Sequence, residues 1–414
     1  MDAVPAKDAA VDRIMNLDWL IIGGGIHGVH IAARLLGDVG VSPDRLRIVD
    51  PSDRLLDRWR TCTAATGMTH LRSPSVHHLG SDHGALQRFA GKRKRRKTGL
   101  FALPFDRPSL ALFNAHCEEV EKTFGLAELH IRDRAVKCSV DCDEVQVELA
   151  EGEGLQAKNL VLAIGASEQP RWPEWAHRSD LRVHHVFDSQ FDGWPTVPET
   201  VVVIGGGISA GHVALRLHSE GHRVHLVSRR ALRQHQFDSD PGWLGWKYTE
   251  RFARVEDPDQ RRSLITTARH TGSVSPDIGR SLRRAIERDR IQWHEGEVAE
   301  LGSNGDRLEL TLSSKTVVSA DRVLLATGFD SRRPGGSMVD ALVDSASLPC
   351  AGCGYPVVDS SLRWHSRVFV SGPLAELELG PVSRNIAGAR RAGDRIVEAV
   401  RSDPGRVVHA RRSI

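Results

Sequence analysis

Residues 20–30 read LIIGGGIHGVH, in which a short apolar run ends in three consecutive glycines. Gly23, Gly25 and Gly28 form a G-x-G-x-x-G pattern, and the residues after it place apolar side chains on one face of a predicted helix. Glycine adds no side-chain contacts, so its clustering favours a tight strand-to-helix turn whose backbone approaches a ligand closely. The unpaired N–H groups at the helix N-terminus favour phosphate there. These three glycines are predicted to bind a dinucleotide.

The next predicted strand, LRIVD (46–50), ends in Asp50. A carboxylate at this position accepts hydrogen bonds from the hydroxyls of an adenosine ribose, and it repels a 2′-phosphate. The first site is therefore predicted to hold FAD or NAD and to exclude NADP.

A second copy of the pattern lies in VVVIGGGISAGHVALRL (201–217), with Gly205, Gly207 and Ala210 at the three positions. The strand after it, RVHLV, is followed by Ser228, Arg229 and Arg230 where the first copy has Asp50. Guanidinium groups bind phosphate in a bidentate manner. The second site is therefore predicted to bind NADPH.

The duplication extends beyond the two turns. LVLAIGASEQP (160–170) and RVLLATGFDSRRP (322–334) each give an apolar strand that ends in a small-x-Gly turn, the second at Gly328, and each follows predicted hairpin strands. A last strand, RVFVSG, ends at Gly372 and precedes a closing amphipathic helix. The pattern predicts an α/β fold of two Rossmann-like three-layer dinucleotide-binding domains, with the NADPH domain inserted into the FAD domain. The predicted boundaries are 1–196 and 331–414 for FAD and 197–330 for NADPH.

Composition limits the other function classes. The 414 residues are 40% hydrophobic and 26% charged with a net charge of +3, so nothing demands nucleic acid or an anionic membrane as a partner. No run reaches membrane-spanning length, and the N-terminal residues lack the apolar core of a signal peptide, so a cytoplasmic location is expected. The basic run GKRKRRK (91–97) is interpreted as a solvated loop in preference to a nucleic-acid or membrane site.

Six cysteines are too few for a disulfide framework, and their spacing does not match a metal site, so no metal is predicted. Cys350 and Cys353, in PCAGC, leave two interpretations open. They are thiols of a turn with no chemical role, or they form a redox pair.

With both glycine turns, both Ala-x-Gly strand ends and the final FVSG, the chain resembles the two-dinucleotide-domain flavoproteins. Within them it is similar to NADPH-dependent flavin monooxygenases, particularly the microbial N-hydroxylases of lysine and ornithine. Trp59 and Met68 fall where those enzymes have a Trp-His and a Met-Gln pair beside the flavin, and Gly328 and Gly372 are carried over as cofactor-binding positions. Arg60 and Thr69 replace the His and the Gln, which leaves the substrate open.

The resemblance implies FAD and NADPH as cofactors, and O2 and a small molecule as substrates. A C4a-hydroperoxyflavin would transfer oxygen to an amine nitrogen or another soft nucleophile, and homo-oligomer formation stays open. Two alternatives remain. One is an NADPH-dependent reductase of a disulfide or a protein partner, and the other is a non-enzymatic flavin or nucleotide sensor.

Three residues are candidates for a catalytic role beside the flavin. His70 and Arg72 lie in MTHLRSPSVHH, where a cation would stabilise a reduced flavin anion; the alternative for Arg72 is a link to the other domain. Asn385 starts the last predicted helix and is a candidate hydrogen-bond donor to the flavin. The stretch QHQFDSDPGWLGWKY (234–248) is interpreted either as an aromatic lid over the substrate cleft or as a core outside the repeat.

Overall fold

The computed structural model describes residues 17–91, 99–141, 144–189 and 191–402. The basic run at 91–97 falls almost wholly outside the described residues. In chain order, the strands are β1 (Leu17–Ile22), β2 (Leu46–Asp50), β3 (Phe101–Ala102), β4 (Arg107–Pro108), β5 (His130–Arg132), β6 (Ala135–Val140), β7 (Val145–Leu149), β8 (Leu155–Leu162), β9 (Val183–His185), β10 (Thr200–Ile204), β11 (Arg223–Ser228), β12 (Arg233–Gln234), β13 (Ser273–Val274), β14 (Ile291–Glu295), β15 (Val298–Asn304), β16 (Arg307–Leu312), β17 (Val317–Ala320), β18 (Arg322–Leu325), β19 (Arg363–His365) and β20 (Val368–Val370).

The helices connect and flank these strands. They are α1 (Ile26–Gly37), α2 (Asp57–Thr66), α3 (Ala85–Phe89), α4 (Leu110–Thr123), α5 (Ile208–Ser219), α6 (Trp246–Ala253), α7 (Pro258–Ala268), α8 (Pro276–Glu287), α9 (Gly336–Ala346), α10 (Glu376–Leu379) and α11 (Ile386–Arg401). Short 3-10 helices cover Pro43–Arg45, Leu126–Leu129, Pro241–Leu244, Gly372–Ala375 and Pro381–Arg384. None of the helices in the described ranges has the length and apolar character that crossing a bilayer demands.

The first sheet has the strand order β19-β20-β8-β1-β2-β5, and β7 and β6 extend it from β8. β1 lies between β8 and β2 and is parallel to both. Its apolar residues are at most 6% exposed, because helices cover both faces of a parallel sheet. The predicted hairpin of β6 and β7 is present, with Val140 opposite Val145.

The second sheet repeats this arrangement. Its strands β14-β11-β10-β18-β9 are all parallel, and β15, β16 and β17 form a separate antiparallel sheet that packs on it. The two sheets also share their turn geometry, since Gly23 N donates to Val49 O at 2.8 Å and Gly205 N donates to Val227 O at 2.9 Å. The predicted α/β fold with two duplicated parallel-sheet units is confirmed.

The chain returns to the first unit after β18. Met338, Val339 and Leu342 of α9 pack in the same core as β1, and β20 pairs with β8. The strand β9 lies within the range 1–196, yet it pairs with β18 at the edge of the second sheet. The predicted domain boundaries themselves stay a prediction.

A small helical segment between β12 and β13 lies in a hydrophobic core separate from those of the two sheets. Trp243, Phe252 and Ile265 of this segment pack against Leu377 and Val382 near the C-terminus. The aromatic stretch 234–248 thus contributes Trp243 to a core outside the repeat, whereas Trp246 is 80% exposed.

Candidate dinucleotide-binding sites and the cleft between them

The three glycines of the first turn have different tasks. Gly23 has a φ of +108°, and a Cβ there would lie 2.4 Å from Ala163 O. A Cβ on Gly28 would lie 1.8 Å from Gly23 O, so this glycine lets α1 start against the end of β1. A Cβ on Gly25 would meet no protein atom within 4 Å. The space in front of Gly25 fits a pyrophosphate at the N-terminus of α1.

Asp50 lies at the end of β2 beside this turn. Its Oδ2 accepts a hydrogen bond from Gly24 N at 2.7 Å, and its Oδ1 accepts one from Ser52 N at 2.9 Å. Each carboxylate oxygen keeps a second lone pair. The backbone therefore fixes the orientation of Asp50 while leaving it able to accept from ribose hydroxyls, so these residues fit the adenosine half of FAD.

The second turn has the same geometry with a narrower opening. Gly205 has a φ of +148°, and a Cβ there would lie 2.6 Å from Ala326 O. A Cβ on Gly207 would come no closer than 3.6 Å to its nearest neighbour, Gly272 Cα. Ala210, at the position of Gly28, is buried.

The residues after β11 form a cationic edge. The Ser228 hydroxyl donates to Arg230 O and accepts from Trp293 Nε1, both at 2.9 Å, which fixes the start of the loop. Arg229 lies 3.8 Å from Glu297 in a pair that is about two-thirds exposed on both sides. Such a pair holds Arg229 weakly, and Arg230 is exposed, so both guanidinium groups can turn toward a phosphate.

Other predicted cofactor residues lie around the first unit. Trp59 donates from Nε1 to Asn114 Oδ1 at 3.0 Å and packs on Phe113, and Met68 packs against the same core. Gly328 and Gly372 have φ values of +80° and +64°, as their predicted turns require. Contact of these four residues with a cofactor stays a prediction.

His70 and Arg72 have different contacts in the structure. His70 Nε2 lies 3.0 Å from Gly99 O. Arg72 donates to the carbonyl oxygens of residues 235, 236 and 237 at 2.7–2.9 Å, and to Ser273 Oγ. Burial lowers the pKa of Arg72. These contacts match the alternative that Arg72 links the two units, and a catalytic role for either residue stays a prediction.

Two more arginines join the units. Arg58 donates to Ser167 O and Phe187 O. Arg107 is 3% exposed and donates to Asp277 Oδ2 at 2.8 Å. Burial alone would raise the pKa of Asp277, but hydrogen bonds from Ser275 and Arg107 lower it to about 2. The second unit is therefore fixed on the first through the buried guanidinium group of Arg107 and the partly buried one of Arg58.

A small cleft, open to solvent, lies where the units meet. Its lining includes Ser73, His77, Asp238, Asp240, Val382 and Asn385. Asn385 caps α11, since its Oδ1 accepts from Gly388 N at 3.0 Å. The cleft thus brings the predicted Asn385 together with the acidic part of stretch 234–248. Phe237, which also lines the cleft, packs on Phe105 with 5.1 Å between the ring centroids.

Sequence reasoning missed a cluster around Glu376. This carboxylate is fully buried and pairs with Arg262, Arg269 and Arg384. Burial and the neighbouring Arg384 lower the pKa of Arg269 to about 9. No local pattern signals such a cluster, because its members come from α7, α10 and the loops beside them.

His27 is a second residue that sequence reasoning missed. It lies between the last two glycines of the first turn, and its Nδ1 is 2.8 Å from Ser371 Oγ. Its place inside the glycine pattern is the only signal that the sequence offers.

Each glycine turn and the strand end beside it form a cradle, the first with the acidic Asp50 and the second with the cationic Arg229 and Arg230. These two cradles define a flavoprotein oxidoreductase with two dinucleotide-binding units. A family model described as pyridine nucleotide-disulphide oxidoreductase matches residues 17–401. The chain belongs to this family, which confirms the predicted class of enzyme.

A ferredoxin–NADP reductase of Ignicoccus hospitalis is 31% identical over 213 residues. The match covers 51% of this chain, and the chain spans 56% of the length of that reductase.

Solved structures resemble almost the whole chain. An ornithine N-hydroxylase of Kutzneria sp. 744, described with reduced FAD, NADP+ and L-ornithine, has a TM-score of 0.75 at 17% identity, covering 93% of this chain and 99% of that one. A cadaverine monooxygenase of Erwinia amylovora, described with FAD, has a TM-score of 0.72 at 14% identity, covering 96% and 100%. A bacillithiol disulfide reductase of Bacillus cereus has a TM-score of 0.62 at 20% identity, covering 93% and 98%.

At these identities the likeness concerns the fold. It confirms the resemblance to the N-hydroxylases that the sequence indicated, and FAD and NADP, named for two of these neighbours, are the cofactors predicted for this chain.

Proposed function

We propose that the protein is a monooxygenase that uses FAD and NADPH to oxygenate an amine nitrogen or another soft nucleophile of a small molecule. The observation that carries this proposal is the contrast between two equivalent strand ends, where β2 ends in Asp50 and β11 is followed by Arg229 and Arg230. The fold shared with N-hydroxylases over nearly the whole chain supports it.

The first cradle would hold FAD. Gly25 leaves room for the pyrophosphate, and Asp50, already oriented by Gly24 N, would accept from the adenosine ribose. The second cradle would hold NADPH, with Arg229 and Arg230 binding the 2′-phosphate. When bound, these two cofactors supply reducing equivalents and, with O2, the oxygen-transfer chemistry.

The cleft would bind the substrate between the two cradles. Asp238 and Asp240 lie on its wall and would attract a cationic amine. Arg72 holds residues 235–237, just before Asp238, against the first unit. This contact is partly buried, and it keeps that wall in place.

Isotopically labelled O2 provides the test. FAD-loaded protein is mixed with NADPH and a panel of diamines, amino acids and thiols, and product is compared with NADPH consumed. We expect one compound class to give product carrying the label, close to one product per NADPH. NADPH oxidation that yields only peroxide with every compound would contradict the proposal. A flavin-free Gly25→Ala variant gives the background.

A reductase is the second candidate, because the similarity to a ferredoxin–NADP reductase favours it. The exposed Cys350 and Cys353 are its candidate redox pair, but burial raises the pKa of the Cys350 thiol despite the nearby Arg333. A thiol with a raised pKa is a poor nucleophile at neutral pH. In the same assay, NADPH-dependent reduction of a disulfide or a ferredoxin without labelled product would favour the reductase.

A further inference from the structure

One imidazole connects three parts of the chain that lie far apart in sequence. His27 belongs to the first glycine turn, and its Nδ1 is 2.8 Å from Oγ of Ser371, 344 residues away. A Cβ built on Gly372 would lie 3.7 Å from the His27 ring. The ring also lies beside the backbone of Asn385, which caps α11 and lines the cleft.

The two helices that start at this point run side by side. Three pairs of neighbouring residues show this. His27 lies beside Asn385 at the starts of the helices, and His30 lies beside Gly393 farther along. Arg401 donates to Asp38 O at the ends. α1 and α11 are therefore parallel, and their N-termini lie together. His27 fills the space between these two N-termini.

Burial keeps this ring neutral. It lowers the pKa of His27 to about 4, against a smaller opposing effect of the Asn385 backbone. Ser371 is fully buried, and its backbone N–H donates to Leu162 O at 3.0 Å, which fixes the backbone that carries its hydroxyl. A neutral ring held against this hydroxyl joins the two segments without placing a charge near them.

The segments that His27 joins are those predicted to surround the flavin. Gly25 and Gly28 flank it in sequence, a Cβ on Gly372 would contact it, and Asn385 lines the cleft. The Gly372 carbonyl is held in turn by the Ser383 hydroxyl, which extends the connection to the start of α11.

We propose that His27 is a positioning residue that holds the Ser371–Gly372 turn and the N-terminus of α11 against the first glycine turn, and so sets the surroundings of the flavin ring. The inference rests on the proposed binding of FAD at the first turn. His27 acts through the backbone groups that it places.

Two substitutions separate the hydrogen bond from the volume of the ring. His27→Leu keeps much of the bulk and removes the bond, whereas His27→Asn can place an amide group near the position of Nδ1. We expect His27→Leu to weaken FAD binding about tenfold and to shift the visible flavin bands, and His27→Asn to stay within about threefold of wild type. Titration of deflavinated full-length protein and the absorption spectrum of the loaded protein measure both effects.

Ser371→Ala removes the same bond from the other side. We expect it to match His27→Leu in affinity and spectrum, and the double variant to be no weaker than either single variant, because one interaction is lost in each case. This variant tests the proposal even where a His27 variant folds poorly. Ser209→Ala, at the equivalent position of the second glycine turn, is the matched control and should leave FAD affinity and spectrum unchanged.

The outcomes are distinct. Wild-type protein that binds no FAD contradicts the proposed function itself. Wild-type protein that binds FAD, with unchanged affinity and spectrum in both His27→Leu and Ser371→Ala, contradicts only the role of His27. Additive losses in the double variant also contradict it, since they mean that the two side chains act independently.

Discussion

Gly25 and Gly28 occupy one motif for different physical reasons, and substitution separates them. Gly25 has a φ of −80°, which alanine adopts without strain, and its Cβ would project into open space. We expect Gly25→Ala to abolish FAD binding while leaving the free energy of unfolding of the flavin-free protein unchanged. Flavin absorbance of purified protein and urea unfolding measure the two quantities.

Gly28→Ala is the comparison for this prediction. The added Cβ would collide with the carbonyl oxygen of Gly23, so we expect this substitution to destabilise the flavin-free protein by about 2 kcal/mol or more. Full flavin content in Gly25→Ala would mean that the first turn does not hold the dinucleotide.

Arg229 and Arg230 determine the choice of nicotinamide cofactor in our interpretation. Replacing both by Gln removes charge-assisted hydrogen bonds to the 2′-phosphate, which NADH lacks. We expect the dissociation constant of NADPH to rise by a factor on the order of 100, and that of NADH to change by about twofold or less. Equal losses for both nucleotides, measured by steady-state kinetics and direct titration, would refute the assignment.

At the residue scale, what could be predicted depended on local spacing. The three pattern residues of each turn, Asp50 and the arginine pair are read from short motifs, because each set lies within one strand-helix-strand unit. A link from Arg72 to the other domain was one of two interpretations, but the particular partners of Arg72 and His27 could not be predicted, since they lie 164 and 344 residues away.

The helical segment of α6 and α7 is attached to the C-terminal region through Glu376. Removing this buried carboxylate leaves Arg262, Arg269 and Arg384 as three cations without their shared partner. We expect Glu376→Gln to reduce the free energy of unfolding by about 3 kcal/mol, as measured by urea denaturation.

Glu250→Gln is the control for this prediction. Glu250 pairs with Arg254 within α6, but both side chains are more than half exposed. Solvent screens such a pair, so no measurable change is expected. An equally small effect of Glu376→Gln would show that the buried cluster does not hold the segment.

Among the elements, the predicted hairpins and parallel strands appear where the sequence placed them, because alternation and apolar runs are local signals. The helices α6 and α7 were not predicted. Their few apolar residues, such as Phe252 and Ile265, are buried by partners from the C-terminal region, so the segment owes its core to distant parts of the chain.

The whole molecule is expected to be sensitive to acid. Burial, with Arg390 nearby, lowers the pKa of His30 to about 3 and that of His78 and His116 to about 4. Unfolded chains bind protons at these histidines below about pH 6.5, whereas the folded protein does so only at about pH 4 or lower. The contribution of these histidines to the free energy of unfolding is therefore fully present above pH 6.5. It is lost as the pH falls, by about 2 kcal/mol for each histidine at pH 5.

His116→Phe tests this explanation. The His116 ring packs edge-on against His78 and Phe89, so phenylalanine fits the site without a titrating group. We expect the slope of unfolding free energy between pH 6 and pH 5 to fall by about 1.2 kcal/mol per pH unit. An unchanged slope in urea titrations would assign the acid sensitivity to other groups.

The pairing of β9 with β18 has a consequence for cutting the protein apart. A piece beginning at residue 197 would leave the outer edge of Val323–Leu325 bare and invite strand addition between copies. We expect such a piece to self-associate in light scattering, and one beginning at residue 171, which keeps Trp172, Trp175 and Ala176 in their core, to stay monomeric. We therefore expect that the second unit can be transplanted into another protein only together with β9 and the residues from 171 onward.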